Sequence, residues 1–206
     1  MDNYHYIIAG LPDLILNADN KSFSYDTIRD AIYFSSDPKD RRFIEWLEFG
    51  SKEENLNSHF YNAALKCKNP FIRRYFALDL GIRNMKVDFI SNAEKKEKDE
   101  RYKITPLHAP VAKFEFTPEE TEKLRHIFGS ENILEKEQML DKFKWDFISA
   151  FNEYGQFNMN VILAFLAKGK LIDRWNKLDR KTGQEMFKRL VDEVRGTFKG
   201  IDLQNN

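Results

Sequence analysis

Four histidines and one cysteine are the side chains of this 206-residue chain best suited to metal or nucleophilic chemistry. His5, His59, His108 and His126 stand outside metal-ligand spacing of one another, and Cys67 has no second cysteine to pair with. Zinc and iron–sulfur centres are excluded by count. Glu122 and His126 are four apart on one helix face, which is half of a metal site; with no second histidine on that helix they read as an exposed polar pair. No glycine spacing matches a phosphate loop or a dinucleotide fingerprint, since Gly10, Gly50 and Gly81 are isolated. No serine sits in a nucleophile-elbow pattern. The adjacent carboxylates Glu119-Glu120 and Asp192-Glu193 fall where solvation or the helix dipole accounts for them. Cys67 follows Ala63-Ala64-Leu65 and reads as a small buried hydrophobe, although Lys66 and Lys68 would favour its thiolate. The expectation is a chain with no catalytic residues, no metal and no cofactor, and so not an enzyme by itself.

Charge is the remaining source of chemistry. The 33 Lys+Arg and 33 Asp+Glu cancel over the whole chain but not along it. Residues 1–60 carry a net −5, 61–93 carry +4, 94–160 carry −3 and 161–206 carry +4. Arg73, Arg74, Arg83 and Lys86 lie in the first basic block, and Lys168, Lys170, Arg174, Lys177, Arg180 and Lys181 in the second. Such patches can meet phosphates, an acidic protein partner, or the acidic blocks of the same chain. Zero net charge gives little long-range attraction for nucleic acid, and no base-reading motif accompanies the patches. From the charge blocks alone, Arg73, Arg74, Lys168, Lys170 and Arg174 are the candidate protein-contact residues.

The elements that must carry these residues are helices. Glycine (9) and proline (6) are scarce while phenylalanine reaches 18, a composition of long helices around an aromatic core. Tyr4 to Ala9 is too short to assign by periodicity and is expected as a short extended segment before Gly10-Leu11-Pro12-Asp13. Ser24 caps a helix over Tyr25 to Phe34, and Asp37-Pro38 opens another ending near Gly50. A shorter one is expected from Leu56 to Lys68. Asn69-Pro70 opens the clearest helix, where Phe71, Tyr75, Leu78, Ile82, Met85 and Phe89 form a heptad stripe. To Ala93 it extends about 34 Å, enough to span a domain whose radius of gyration is near ~17 Å.

Residues 94 to 101 are all charged, and 103–116 contain Pro106 and Pro110. A single helical domain over 1–206 is expected, in which 94–116 would join lobes 1–93 and 117–206. Thr117-Pro118-Glu119-Glu120 reads as a capping box opening a helix that stops at Gly129. Ser130 is expected to cap the next, with Leu134, Met139, Leu140, Phe143, Phe147 and Phe151 facing the core and an end near Tyr154-Gly155. Asn158 or Asn160 caps an apolar helix through Trp175, and Asp179 precedes a last amphipathic one ending between Gly196 and Gly200. The longest apolar run, Val161 to Ala167, is far short of the ~20 residues of a spanning helix. The fold class expected is mainly α, a multi-helix bundle.

Three stretches carry a family resemblance: Tyr4 to Asp13, Asn69 to Asn84, and Val161 through Ile172-Asp173-Arg174-Trp175 to Gly183. Together they resemble an uncharacterised bacterial family encoded beside V/A-type ATPase (ATP synthase) genes, at the place where the connector of the central stalk would stand. The resemblance implies a non-catalytic, all-helical connector seating the central shaft on the membrane rotor ring, with other subunits of that ATPase as partners. It implies a cytoplasmic protein that reaches the inner face of the membrane through those partners. The chain is far shorter than the usual central-stalk connector, with room for fewer than three lobes, so an assembly role stands beside that of a permanent subunit. A nucleic-acid-binding helical module and an enzyme with an unrecognised site near His126 or His59 are the alternatives.

Overall fold

In the computed structural model, which describes residues 3–16, 23–93, 114–151 and 157–177, the regular elements are all helical. They are α1 (Tyr4–Ala9), α2 (Tyr25–Ser35), α3 (Pro38–Gly50), α4 (Ser58–Ala64), α5 (Pro70–Ala93), α6 (Pro118–Gly129), α7 (Ile133–Ser149) and α8 (159–177). A 3-10 turn at Glu53–Asn55 links α3 to α4. The mainly α bundle expected from composition is what forms.

Local chemistry sets most boundaries. Asp37 accepts from the Lys39 amide at 2.8 Å and Asn69 from the Ile72 amide at 3.0 Å, each with proline at the first helical position. At α6 the box is reciprocal: the Glu120 amide donates to Thr117 Oγ1 at 3.2 Å and the Thr117 amide to Glu120 Oε2 at 2.8 Å. Asn158, not Asn160, caps α8, accepting from the Asn160 amide at 2.9 Å.

Several expectations change. Tyr4–Ala9 is a helix, not an extended segment. The reason lies in spacing that continues past Gly10: Tyr4, Ile7, Ile8 and Leu11 recur at helical intervals and pack on the core, while His5 and Tyr6 face out. Ser24 makes no capping bond to α2, because its hydroxyl pairs with Thr27 Oγ1 at 2.9 Å. Helix α4 starts from an Asn57 cap and stops at Ala64. Helix α7 is capped by Asn132, whose Oδ1 accepts from the Leu134 and Glu135 amides, rather than by Ser130. It ends at Ser149, and Leu134, expected in the core, is 52% exposed. The expected last helix after Asp179 lies outside the described residues.

Two apolar clusters form, and α5 belongs to both. Around its first half, Phe71, Ile72 and Phe76 pack with Ile44 and Leu47 of α3, Phe60 and Tyr61 of α4, and Ile162, Leu163 and Leu166 of α8. Around its second half, Leu78 and Ile82 meet Leu124, Ile127 and Phe128 of α6, flanked by Met139, Phe143 and Phe147 of α7. Residues before 93 and after 117 therefore contribute to both clusters, and the long helix is their common spine. At Gly50 the first cluster closes on the backbone: a methyl group there would lie 2.3 Å from Phe76 Cζ and 2.4 Å from Phe60 Cζ. No helix among the described residues is long and apolar enough to cross a membrane.

Candidate functional site

Three carboxylates inside the bundle tie its helices together. Asp79, on α5 between Leu78 and Leu80, accepts from Tyr61 Oη–H at 2.6 Å, Arg83 Nε at 2.9 Å and Lys144 Nζ at 3.0 Å. Burial pushes its carboxyl up, but Lys144 and Arg83 outweigh that and hold it below the usual carboxylate range. Tyr61 is pushed the other way, by burial and by the Asp79 charge. Asp141 on α7 is buried too, accepting from Trp175 Nε1 at 2.7 Å and from Arg174 of α8. Here burial wins over Arg174 and Trp175, and the carboxyl lies above its ordinary value. Glu48 on α3 accepts from Tyr25 Oη–H and from Lys170 Nζ, the latter at 2.9 Å. Each carboxylate accepts from two or more donors of the same chain, which suits a brace rather than a reacting group.

The five candidate contact residues are dispersed through this framework. Arg73 donates to the Cys67 carbonyl at 3.0 Å. Arg74 lies 4.6 Å from the Phe151 ring centroid and 5.9 Å from that of Phe147. Lys168 covers Trp145 at 4.8 Å, and burial lowers its ammonium pKa. Lys170 bridges to Glu48 and covers Tyr25. Arg174 meets Glu137 at 3.0 Å as well as Asp141. Of the late basic block, Lys170 is thus paired to an acid of the first segment and Arg174 to two acids of the third. Lys177 likewise meets Asp173 at 2.6 Å, while Arg180 and Lys181 lie outside the described residues.

The described histidines form no cluster. His5 stacks on Phe157 at 4.1 Å, His59 and His126 are exposed, and His108 lies outside the described residues. Glu122 pairs with Arg125 at 3.6 Å rather than with His126. Among the described residues no group of three or more His, Cys, Asp or Glu could hold a metal ion.

The feature that sequence reasoning missed is a groove of about 1160 Å³ along α6 and α7. Its floor is Phe114, Ile127, Met139, Phe143, Phe147 and Phe151, the α7 members being side chains expected to face the core. They are half-buried because α7 turns one aromatic flank to the second cluster and leaves the other open. Glu115, Glu119, Glu120 and Glu122 stand on the α6 side, where Glu119 pairs with Lys123 and Glu122 with Arg125; Lys142 and Asp146 pair on the α7 side, and Arg74 lies at the end beside Phe147 and Phe151. Four carboxylates in eight residues were the available signal.

No curated protein and no solved structure matches this chain. A family model does match, over residues 47–197, from the end of α3 through the whole of α4 to α8 and beyond. Covering well over half of the sequence, that match shows that the chain belongs to the family described as "Protein of unknown function (DUF2764)".

Proposed function

We propose that the protein is a non-catalytic peripheral subunit or assembly partner of a V/A-type ATPase, a connector between the central shaft and the membrane rotor ring. The observation that carries this reading is where the three resembling stretches lie. Ile7 of the first, Phe71, Ile72 and Phe76 of the second, and Ile162, Leu163 and Leu166 of the third are members of one buried cluster. The resemblance therefore follows a packed body rather than a scatter of surface residues. A connector transmitting torque needs that body to be stiff, and two buried carboxylates cross-brace it: Asp79 joins α4, α5 and α7, and Asp141 joins α7 to α8. The nucleic-acid-binding alternative has less support because Lys170, Arg174 and Lys177 already meet carboxylates of their own chain. Membrane contact, in this reading, goes through the partner subunits.

Affinity purification of the tagged protein at low salt tests the proposal. The expected result is co-recovery of the ATPase shaft and rotor ring. Recovery of the protein alone, while the ATPase is isolated intact and coupled from the same cells, would sink it.

A further inference from the structure

The groove along α6 and α7 belongs to neither buried brace, and its size is informative. At about 1160 Å³ it exceeds the ~300–1,000 Å³ typical of small-molecule pockets. Along α7 it is lined from Gln138 to Phe151, about 20 Å at 1.5 Å per residue, room for three to four turns of a helix. Its apolar floor offers ring edges and the Met139 thioether, which take the i, i+3, i+4, i+7 side chains of an amphipathic helix.

The walls differ in charge, and that chooses the occupant. On the α6 side Glu119 pairs with Lys123 at 2.8 Å and Glu122 with Arg125 at 3.6 Å, so the net acidity of that wall comes from Glu115 and from Glu120, whose carboxylate also accepts from the Thr117 amide. The α7 side is neutral, Lys142 and Asp146 being paired at 2.5 Å. Arg74, at the end beside Phe147 and Phe151, contacts rings instead of a carboxylate among the described residues. We infer that the groove docks an amphipathic helix of a partner protein, its apolar face on the aromatic floor, a Lys/Arg edge along α6 and a carboxylate at the Arg74 end. The opposed charges fix the direction in which the helix lies. This docking does not depend on which complex the protein joins, so it can fail while the ATPase assignment stands, and the reverse.

Two labelled synthetic helices of about four turns test it, sharing one apolar face. One carries Lys/Arg along its edge and a terminal Glu; the other carries Glu along the edge and a terminal Arg. Fluorescence anisotropy against the full chain at low salt is expected to favour the basic-edged peptide by about tenfold, roughly 1.4 kcal/mol. Because Glu119 and Glu122 are exposed, E119K/E122K is expected to fold normally by circular dichroism and to remove or invert that preference. A photo-reactive group on the apolar face is expected to cross-link to Met139, Phe143 or Phe147. Equal binding of both peptides, no binding, or cross-links confined to residues outside the groove would overturn the proposal. So would displacement of the peptide by a second copy of the chain or by its own residues 178–206.

Discussion

Lys144 Nζ lies 3.0 Å from Asp79 Oδ1, an ion pair that closes 65 positions of sequence and fastens α7 to α5. Only 12% of the Asp79 side chain and 19% of the Lys144 side chain is exposed. Water therefore cannot replace either partner cheaply, and Tyr61 and Arg83 complete the aspartate's shell. Losing one member leaves a buried charge uncompensated.

Asp79→Asn is expected to lower stability by about 3 kcal/mol at neutral pH, read by urea unfolding. The native carboxyl is held below its unfolded value, so its contribution is fully present above the ordinary aspartate pKa of about 3.9. It is lost as pH falls from there through the native value. The gap between wild type and variant should narrow below about pH 4; a gap that stays constant into strong acid would count against the brace.

Arg174→Ala should respond to acid in the same direction for a different reason. Asp141 already lies above its ordinary value through burial, and losing Arg174 moves it further up. A raised native carboxyl destabilises above its native pKa and costs nothing below its unfolded one. With Arg174 at 44% side-chain exposure, the expected loss at neutral pH is about 1–2 kcal/mol, vanishing as pH falls through the ordinary carboxylate range. Thermal midpoints across pH would show it, and a penalty that grew in acid would refute it.

Gly50→Ala would ordinarily favour a helix by about 0.5–1 kcal/mol. Here the added methyl meets Phe60 and Phe76, whose rings stack edge-on at 4.8 Å and belong to the buried core. Overpacking should reverse the sign, giving a net loss of about 1–3 kcal/mol. An unchanged or raised midpoint would mean that the aromatic pair yields more easily than its packing suggests.

Two helix caps should differ in weight. Asn69 caps α5 and also donates through Nδ2 to Asn160 Oδ1 at 2.9 Å, linking α5 to α8 from a buried position. Thr117 is an exposed cap with its box partner Glu120. Asn69→Ala is expected to cost about 2 kcal/mol and Thr117→Ala about 1 kcal/mol. Equal losses in denaturant titrations would show that the Asn69–Asn160 bond contributes nothing.

What could be read in the sequence was local. Asn69-Pro70, Asp37-Pro38 and Thr117-Pro118-Glu119-Glu120 announce helix starts because a cap and its amides lie within three residues. The Phe71-to-Phe89 stripe announces the spine for the same reason. What escaped needed distant partners. Asp79 and Asp141 sit on apolar faces, visible as misplaced charges, but the partners that tie them to other helices lie far off in sequence, Lys144 65 positions from Asp79 and Arg174 33 from Asp141. For Lys170 and Arg174 the charge blocks left phosphates, a protein partner and acids of the same chain equally open, because counting charge does not pair it; Glu48 and Asp141 do. The groove escaped since half-buried and fully buried phenylalanines have the same periodicity.

The connector role is tested most directly by ATP-driven ion transport in membranes from cells lacking this protein, measured beside ATP hydrolysis. A connector between shaft and rotor ring should leave hydrolysis by the catalytic head largely intact while transport collapses and the head is released from the membrane, both restored by the wild-type chain. Full transport with the head still membrane-bound would contradict it.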